Sequence, residues 1–381
     1  APEILFFWVA RMIMSGYEYK GDLPFKNVYL TGIVRDKQGR KMSKSLGNSP
    51  DPIELIEKYG ADGVRVGMLL SSPAGNDLPF DESLCEQGRN FSNKIWNATR
   101  LIKGWKVANI EQPESSKIAV EWFDNKFQHT LELINDAYSK YRISEALMLT
   151  YRLVWDDFCS WYLESIKPDY QKPIDSKTLD NTIILMENLL KLLHPFMPFL
   201  TEEIWHLLAQ ERSEDIIVSE WPKTTSINKD VLSNFDYATE IVSAVRNIRK
   251  DKQIPNKDSL KLFIKTNEAT SNSIDALVSR LANLSKLSYT SDTIEGAFSF
   301  RVKSNEFFVP LSDNIDVGAE LEKLRSELDY TQGFLKSVMG KLSNERFVNN
   351  APEQVVAMER KKQSDAEAKI AVLQEQIKAI S

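Results

Sequence analysis

Two lysines and two serines stand within five residues of one another near the beginning of the sequence. The segment Lys41–Ser45 reads Lys-Met-Ser-Lys-Ser, and Gly39 and Gly47 bound it. Lysine ammonium groups can follow the charge that moves onto the outer phosphates when a polyphosphate is attacked, and glycines let backbone N–H groups approach the anion. One such donor is worth about 3 kcal/mol, or about 10²-fold in rate. The segment therefore predicts a polyphosphate-binding loop; the alternative is a solvated basic turn.

A helix start follows this loop. Asp51, Pro52 and Glu54 are the residue types favoured at the N-cap, the first position and the third position of a helix. We expect a helix beginning here to anchor the C-terminal end of the loop.

The composition indicates a globular protein of several domains. A length of 381 residues predicts two to four units, and 42% hydrophobic and 27% charged residues are typical of globular chains. No apolar run reaches the roughly 18 residues that a bilayer span needs, which argues against a membrane protein. The first residue is Ala1, and the apolar segment after it has neither the basic start nor the cleavage site of a signal peptide, so we expect a piece of a larger chain.

Cysteine usage and net charge narrow the classes further. Cys85 and Cys159 are far apart and have no metal-ligand pattern around them, which predicts no disulfide framework and no protein-bound metal, and fits a reducing cytoplasm. The net charge of −6 argues against a protein that coats nucleic acid by bulk charge. Any nucleic-acid contact must use local basic patches.

Apolar residues recur three and four positions apart through the middle of the sequence. In Glu82–Trp105 the stripe consists of Leu84, Gly88, Phe91, Ile95, Ala98, Ile102 and Trp105. Similar patterns mark Val120–Tyr138, Ile143–Ile166, Leu179–Leu193, Leu200–Leu208 and, after the Glu220–Pro222 corner, Val231–Ile248. The pattern predicts a helical bundle.

The period changes after this bundle. Leu260–Ile264 is predicted as a strand, Ile274–Leu284 as a helix, and Phe298–Val302 and Phe307–Leu311 as two short strands. These segments predict a small α/β unit.

The last part of the sequence has a heptad pattern. The first seam is Val317, Leu321, Leu324, Leu328, Thr331, Leu335, Val338 and Leu342, and the second is Val356, Ala366, Ile370, Leu373, Ile377 and Ile380, with Glu359 and Gln363 as polar interruptions. Asn349, Asn350 and Pro352 lie between the seams and are turn residues. The economical interpretation is an antiparallel hairpin coiled coil.

The lysine-rich loop and its flanks resemble class I aminoacyl-tRNA synthetases. The matching flanks are Tyr29–Asp36 upstream and Asp51-Pro52, Tyr59–Asp62 and Arg65 downstream. The resemblance implies ATP binding by Lys41, Met42, Ser43, Lys44 and Ser45 and by Gly32, Ile33 and Val34, with Lys41, Ser43 and Lys44 as the catalytic residues. Many members have His where this chain has Thr31, which leaves the role of Thr31 open.

The segment Glu3–Met12 resembles the helix that lines the amino-acid pocket in the valine branch of this family. Ile4 and Trp8 are one helical turn apart and are expected to form a narrow apolar slot for a branched side chain. The alternative is ordinary core packing.

Two further regions resemble the tRNA-binding parts of these enzymes. Residues 89–100 and 194–205 resemble the anticodon-binding bundle of the valine, isoleucine and leucine branches, and the side chains assigned to the anticodon are Arg89, Asn93, Lys94, Asn97 and Arg100. The terminal hairpin resembles that of the valine branch, and its basic residues Lys336, Lys341, Arg346, Arg360, Lys361 and Lys362 are assigned to the tRNA corner. Solvated helix faces are the alternative for both regions.

Together these resemblances predict a multidomain, mainly α protein. Its expected parts are the end of a nucleotide-binding, Rossmann-like catalytic domain (1–80), a helical anticodon-binding domain (81–222), a small α/β unit (223–315) and a hairpin coiled-coil arm (316–381). The adenylation motif and the editing domain that the family places upstream are not in this sequence, so we expect it to bind tRNA but not to activate an amino acid.

The resemblance also implies substrates and partners for the whole protein. These are ATP with Mg²⁺, valine and its tRNA, with a monomeric, cytoplasmic enzyme, no membrane and no protein-bound metal in this part. The alternatives are an isoleucine-specific enzyme, whose relatives commonly end in a Cys-rich zinc module, and a noncatalytic tRNA-binding or structural protein.

Overall fold

Helices make up most of the chain, as the sequence predicts. The computed structural model describes residues 2–71, 76–209, 211–266, 273–294, 296–310, 317–344 and 353–380. The chain divides into two compact units, Ala1–Phe235 and Asp236–Ser381. The finer boundaries predicted at 80, 222 and 315 stay predictions.

The first unit is built from helices, with two pairs of short strands and several single irregular turns between them. Its α-helices are α1 (Ala10–Lys20), α2 (Pro52–Tyr59), α3 (Ala61–Leu70), α4 (Glu82–Gly104), α5 (Glu114–Ser139), α6 (Ile143–Arg152), α7 (Leu163–Ile166), α8 (Ser176–Leu193) and α9 (Pro198–Leu208). Its strands are β1 (Val34–Arg35) with β2 (Leu78–Pro79) and β3 (Val107–Ala108) with β4 (Ile174–Asp175), each pair parallel. Single turns of 3₁₀ helix cover Pro2–Ile4, Lys44–Leu46 and Ile216–Val218, and π-helix covers Leu5–Val9 and Leu153–Tyr162.

Aspartates start several of these helices. The Asp51 carboxylate accepts from the Ile53 amide at 2.8 Å, and the Asp175 carboxylate accepts from the Thr178 amide at 2.7 Å. Each bond satisfies an amide that has no partner inside its helix. The predicted helix start after the lysine-rich loop is thereby confirmed.

Helix α4 packs against α3 at backbone distance. A Cβ atom at Gly88 would lie 2.3 Å from the Gly63 carbonyl oxygen, and one at Gly67 would lie 2.6 Å from the Cys85 nitrogen. Only glycine fits these positions, and Phe91 then fills the interior beside the crossing with no exposed surface. The apolar stripe predicted for α4 is confirmed from Gly88 to Ile102, whereas Trp105 follows the helix in extended backbone.

Helices α6 and α7 join through the π-helical segment, so residues 143–166 are helical without a gap. The wider turn places Phe158 and Tyr162 in the core, where the Tyr162 hydroxyl lies 2.8 Å from the Thr182 hydroxyl. The predicted span Ile143–Ile166 is therefore confirmed as one helical stretch, although its regular 3.6-residue period is wrong in the middle.

Helix α10 (Lys229–Asp251) joins the two units in sequence, and the second unit contains a four-stranded sheet. The strands are β5 (Leu260–Lys265), β6 (Leu284–Thr290), β7 (Ala297–Val302) and β8 (Asn305–Pro310), in the order β6-β5-β8-β7. Strand β6 is parallel to β5, and the other neighbours are antiparallel.

The predicted helix Ile274–Leu284 is wrong at its C-terminal end. The helix is only α11 (Asp275–Leu281), and Leu284 begins β6, a strand that the sequence pattern does not predict. The segment Leu284–Thr290 is largely polar, so pairing with β5 rather than a hydrophobic alternation determines its structure. Of the predicted strand Phe307–Leu311, Leu311 lies outside the described residues.

The chain ends in two long helices, α12 (Val317–Leu342) and α13 (Glu353–Ile380). Leu324 packs with Leu373, and the Lys341 ammonium lies 3.9 Å from the Glu359 carboxylate. Early residues of one helix thus meet late residues of the other, so the two helices are antiparallel. The predicted turn residues 349–352 lie outside the described residues.

Seam positions of this helix pair are buried. They are Leu324, Thr331, Val338, Val356, Glu359, Ala366 and Leu373, each at most 9% exposed. The polar interruption at Glu359 therefore points into the seam. A coiled-coil supertwist stays a prediction.

Among the described residues, no helix has both the length and the hydropathy to cross a membrane.

Candidate functional site

The lysine-rich loop leaves from a short β structure. Strand β1 pairs with β2 on one side, and on the other the Met42 amide donates to the Val34 carbonyl at 3.0 Å. A Cβ atom at Gly32 would lie 1.7 Å from the Asn76 carbonyl oxygen, so only glycine lets the chain enter this structure. The backbone of Ile33 is fixed too, because its amide donates to the Asp77 carboxylate at 3.1 Å.

The Asp36 carboxylate organises the first half of the loop. It accepts from the amides of Gln38 and Arg40 at 3.0 and 2.8 Å, from the Arg40 guanidinium at 2.8 Å and from the Asn48 side-chain amide at 2.9 Å. These bonds, that from Asn48 first, lower the pKa of Asp36 to about 2. The turn is completed by Gly39, whose positive φ of 77° suits glycine.

Ser43 and Ser45 lie in the second half of the loop. The Ser43 hydroxyl accepts from the Leu46 amide at 3.3 Å and caps the 3₁₀ turn Lys44–Leu46. The hydroxyls of Ser43 and Ser45 are 3.1 Å apart, and Gly47 ends the turn with a φ of 62°. The serine hydroxyls therefore shape the turn that carries Lys44.

The two lysines of the loop differ in their partners. The Lys41 ammonium pairs with the Glu3 carboxylate at 2.7 Å, with both side chains more than half exposed, and this contact lowers the pKa of Glu3. The Lys44 side chain is exposed and makes no ion pair with another described residue. An exposed ion pair contributes little and opens readily, so an arriving phosphate can compete with Glu3 for Lys41.

The segment assigned to the amino-acid pocket is open to solvent. Ile4 is 44% exposed and Trp8 is 59% exposed, and residues 2–20 contain no buried side chain. Among the described residues, the two side chains do not enclose a slot. Their assignment stays a prediction.

The residues assigned to the anticodon all lie on α4, but their side chains differ in exposure and in the contacts they make. Asn93, Asn97 and Arg100 are exposed at helical spacing on one face. Arg89 is half-buried; its guanidinium pairs with Glu86 at 3.2 Å and lies 5.5 Å from the centre of the Tyr59 ring.

Lys94 lies at the edge of this face against an aromatic cluster. Its ammonium is 4.2 Å from the centre of the Trp155 ring and 3.4 Å from the Ser160 hydroxyl. Trp155 stacks on Tyr151, with ring centres 5.5 Å apart. Trp155 and Lys94 thus form a half-exposed aromatic and cationic pair beside the exposed asparagines.

The basic residues of the α12–α13 pair fall into two groups. Lys341 and Lys362 flank the buried Glu359 carboxylate at 3.9 and 2.7 Å, and together they lower its pKa. Lys336, Arg360 and Lys361 are exposed and make no ion pair with another described residue, whereas Arg346 lies outside the described residues. The group without an ion pair is the one most available to a phosphate.

One cluster of potential metal ligands occurs among the described residues, Glu202, His206 and Asp215. The His206 ring lies 3.0 Å from the Glu202 carboxylate and 3.3 Å from that of Asp215. The three side chains are each other's partners at the end of α9, away from the lysine-rich loop in sequence.

Sequence reasoning assigned no role to three residues that organise these sites: Asp36, Asn48 and Trp155. An Asp three residues before a Gly is a turn signal and points to Asp36. Nothing in the local sequence indicates that Asn48 bonds across the loop or that Trp155 lies under Lys94.

Three known families match successive parts of the chain. Residues 2–81 match "tRNA synthetases class I (I, L, M and V)", residues 120–264 match "Anticodon-binding domain of tRNA ligase", and residues 316–381 match "Valyl tRNA synthetase tRNA binding arm". The matches cover the lysine-rich loop and the α12–α13 pair, but α4 lies between the first two.

Curated relatives match the whole chain. The valine–tRNA ligase of Christiangramia forsetii is 59% identical over 383 residues, which cover 100% of this chain and 44% of that protein. That of Parabacteroides distasonis is 55% identical over 384 residues, again covering 100% of this chain and 44% of the relative. The chain thus spans less than half the length of these relatives. It belongs to the valine–tRNA ligase family and corresponds to the part of those proteins that carries the anticodon-binding domain and the tRNA-binding arm.

Proposed function

We propose that the chain supplies the ATP-phosphate loop and the tRNA-binding surfaces of an enzyme that joins valine to its tRNA through valyl-adenylate. The observation that carries this proposal is the anchored loop that presents Lys41 and Lys44 to solvent in a member of this family. Two cations on a rigid turn suit the developing charge of a reacting triphosphate better than two cations on a mobile chain.

In this proposal the lysines act on the phosphates of ATP that arrive with Mg²⁺ as substrate. Attack of the valine carboxylate on the α-phosphate transfers charge to the leaving pyrophosphate. Lys44 has no ion pair with a described residue, so it can bind a phosphate without breaking one. Lys41 must exchange its ion pair with Glu3 for one with a phosphate oxygen. Ser43 and Ser45 keep the turn that carries Lys44 in shape.

The exposed face of α4 is the proposed anticodon surface. Asn93 and Asn97 can hydrogen-bond the edges of unstacked bases, and Arg100 can bind a phosphate or stack on a base. Lys94 and Trp155 lie beside these side chains and supply a cation and an aromatic face. Arg89, whose guanidinium pairs with Glu86, is a further cation on the same helix.

The α12–α13 pair is the proposed tRNA-binding arm, with the hairpin coiled coil as its expected form. Lys336, Arg360 and Lys361 are exposed and can contact the sugar-phosphate backbone, which makes this contact sensitive to salt. Lys341 and Lys362 share Glu359 and contribute less free charge.

The apolar side of the N-terminal helix is proposed to pack against the remainder of the nucleotide-binding domain. Phe6 is 81% exposed and Met14, eight residues later, is 70% exposed, and large apolar side chains exposed together mark a surface that packs against another part of a protein. Ile4 and Trp8 would then line the amino-acid pocket from this helix. The four-part domain organisation, a monomeric state and a cytoplasmic location complete the proposal.

Competitive aminoacylation tests the proposed specificity. The whole ligase, with these 381 residues unchanged, is supplied with ATP, tRNA and equal amounts of valine and isoleucine. We expect valine to be attached preferentially, and preference for isoleucine would refute the assignment.

The 381-residue chain by itself provides a second test. We expect it to bind tRNA and to show no valine-dependent ATP–pyrophosphate exchange above background. ATP–pyrophosphate exchange by the chain alone would refute the proposal that this chain binds tRNA but does not activate valine by itself.

A further inference from the structure

We propose that Asn48 is a positioning residue that locks the lysine-rich loop by bridging its two halves, and so sets where Lys41 and Lys44 meet the phosphates. This inference rests on the proposed function. Asn48 touches neither lysine side chain in the structure and acts through the backbone of Lys41 and Ser43.

The Asn48 side chain uses both ends of its amide group. Its nitrogen donates to the Asp36 carboxylate at 2.9 Å and to the Lys41 carbonyl at 3.3 Å, and its oxygen accepts from the Ser43 amide at 2.9 Å. One half-buried side chain thus joins the turn before the lysines to the backbone on both sides of Met42.

The chemistry of these contacts requires an amide. The bond to Asp36 needs a donor, because that carboxylate is ionised, and the bond to Ser43 needs an acceptor. Aspartate at position 48 would supply only acceptors and would set a second carboxylate against Asp36. Alanine would supply neither.

Asn48 and Asp36 hold different parts of the loop. Asp36 itself closes the turn through the amides of Gln38 and Arg40, and these bonds do not involve Asn48. The Ser43 amide, in contrast, has Asn48 as its partner. Loss of the Asn48 side chain should therefore free the Ser43 amide and the turn that carries Lys44, while the preceding turn and the bond from Met42 to Val34 stay closed.

Amide hydrogen exchange of the 381-residue chain tests this geometry without any activity. In Asn48→Ala we expect exchange of the Ser43 amide to accelerate at least about 10-fold, as expected when a bonded amide opens, while those of Gln38 and Arg40 change little. Asn181→Ala is the matched control, since the side chain of that half-buried asparagine donates to the Lys177 carbonyl of its own helix at 2.7 Å and bridges no loop among the described residues. An unchanged Ser43 amide in Asn48→Ala would overturn the inference.

Kinetics of the whole ligase test the consequence. We expect Asn48→Ala to lower kcat for valine-dependent ATP–pyrophosphate exchange by about 10- to 100-fold, as for a misplaced catalytic group, with the KM for valine nearly unchanged. Asn48→Asp should be at least as slow. Asp36→Asn combined with Asn48→Asp restores one donor and one acceptor across the bridge and should recover part of the lost rate.

The two proposals fail in different ways. A wild-type ligase without valine-dependent exchange refutes the proposed function. An active wild type whose Asn48→Ala variant keeps full kcat, or whose double variant is no faster than Asn48→Asp alone, refutes the positioning role of Asn48 and leaves the proposed function standing.

Discussion

Replacing Arg249 by methionine should destabilise the second unit strongly. The Arg249 side chain is 4% exposed, and its guanidinium donates to the carbonyls of Pro255, Asp258, Ala282 and Asn283 at 3.1, 2.7, 3.0 and 3.0 Å. These bonds connect the end of α10 to the loop before β5 and to the loop between α11 and β6. Methionine keeps most of the stem volume but leaves four carbonyl groups without this donor.

The magnitude follows from the number of bonds. Hydrogen bonds to a charged group contribute about 1.5–3 kcal/mol each, so four of them are worth about 6–12 kcal/mol before any offset. Part of this free energy is offset. Burial of the guanidinium is unfavourable and also lowers the pKa of Arg249, and in the variant water can hydrate the freed carbonyls. We expect a net loss of about 4 kcal/mol in the free energy of unfolding, which at a urea m-value of about 2 kcal/mol/M lowers the midpoint by about 2 M.

The distribution of tryptophan makes the assay specific. All eight tryptophans lie at or before Trp221, in the first unit, whereas helix and sheet signals come from both units. In Arg249→Met the circular-dichroism transition of the second unit should move to lower urea while the tryptophan-fluorescence transition stays in place.

The matched control is the neighbouring Lys250→Met, an exposed position on the same helix. It should change the midpoint by less than the equivalent of about 0.5 kcal/mol. A stability loss in Arg249→Met no larger than that in Lys250→Met would show that the four carbonyl contacts do not hold the unit together.

Further predictions concern the loop, the anticodon surface and the first core. Lys44→Ala should lower the rate of adenylate formation in the whole ligase by about 10² or more without changing tRNA affinity, and unchanged exchange kinetics would contradict its role. Lys94→Ala should raise the KM for tRNA in aminoacylation, with an unaltered KM counting against the contact. Because Asp36 has a folded pKa of about 2, below its usual 3.8, its contribution to loop order is full above about pH 4 and is lost as the pH falls through about 2; amide exchange across that window checks this. Phe235→Ala removes a buried ring whose centre lies 3.5 Å from that of Trp122, and it should lower the free energy of unfolding by about 3–5 kcal/mol. Urea unfolding followed by tryptophan fluorescence checks this, and an unchanged fluorescence midpoint would refute it.

Long amphipathic segments were predictable because burial of one helix face leaves a period in the sequence. The stripe from Gly88 to Ile102 is buried where that period places it, as are the alternate seam positions Leu324, Thr331 and Val338 of α12. The helix start at Asp51 was predictable for a local reason as well, since the cap and its amide are two residues apart.

Features set by distant partners were not predictable. Strand β6 is largely polar and forms because β5 offers it a free edge. Arg249 continues a helical pattern as an ordinary charged residue, and only the folded chain shows the carbonyl groups of Ala282 and Asn283 around it. Glu359 interrupts the heptad in sequence, yet it is 6% exposed because Lys341 and Lys362 reach it.

The same distinction applies to the candidate site. The lysines were found by residue type and spacing, because cations near glycines suit a polyphosphate wherever they occur. The bridge of Asn48 to Asp36 joins residues twelve positions apart and depends on the fold of the loop. Trp155 reaches Lys94 from another helical segment, so the aromatic part of the proposed anticodon surface could not be predicted from the pattern of α4.

Binding of tRNA by the 381-residue chain tests the central claim most directly. The chain is titrated at one fixed salt concentration with a tRNA that carries a valine anticodon and with the same tRNA carrying another anticodon. If the exposed face of α4 reads the anticodon, the valine form should bind at least about 10-fold more tightly, a difference of about 1.4 kcal/mol. Equal affinities for the two tRNAs would contradict the account.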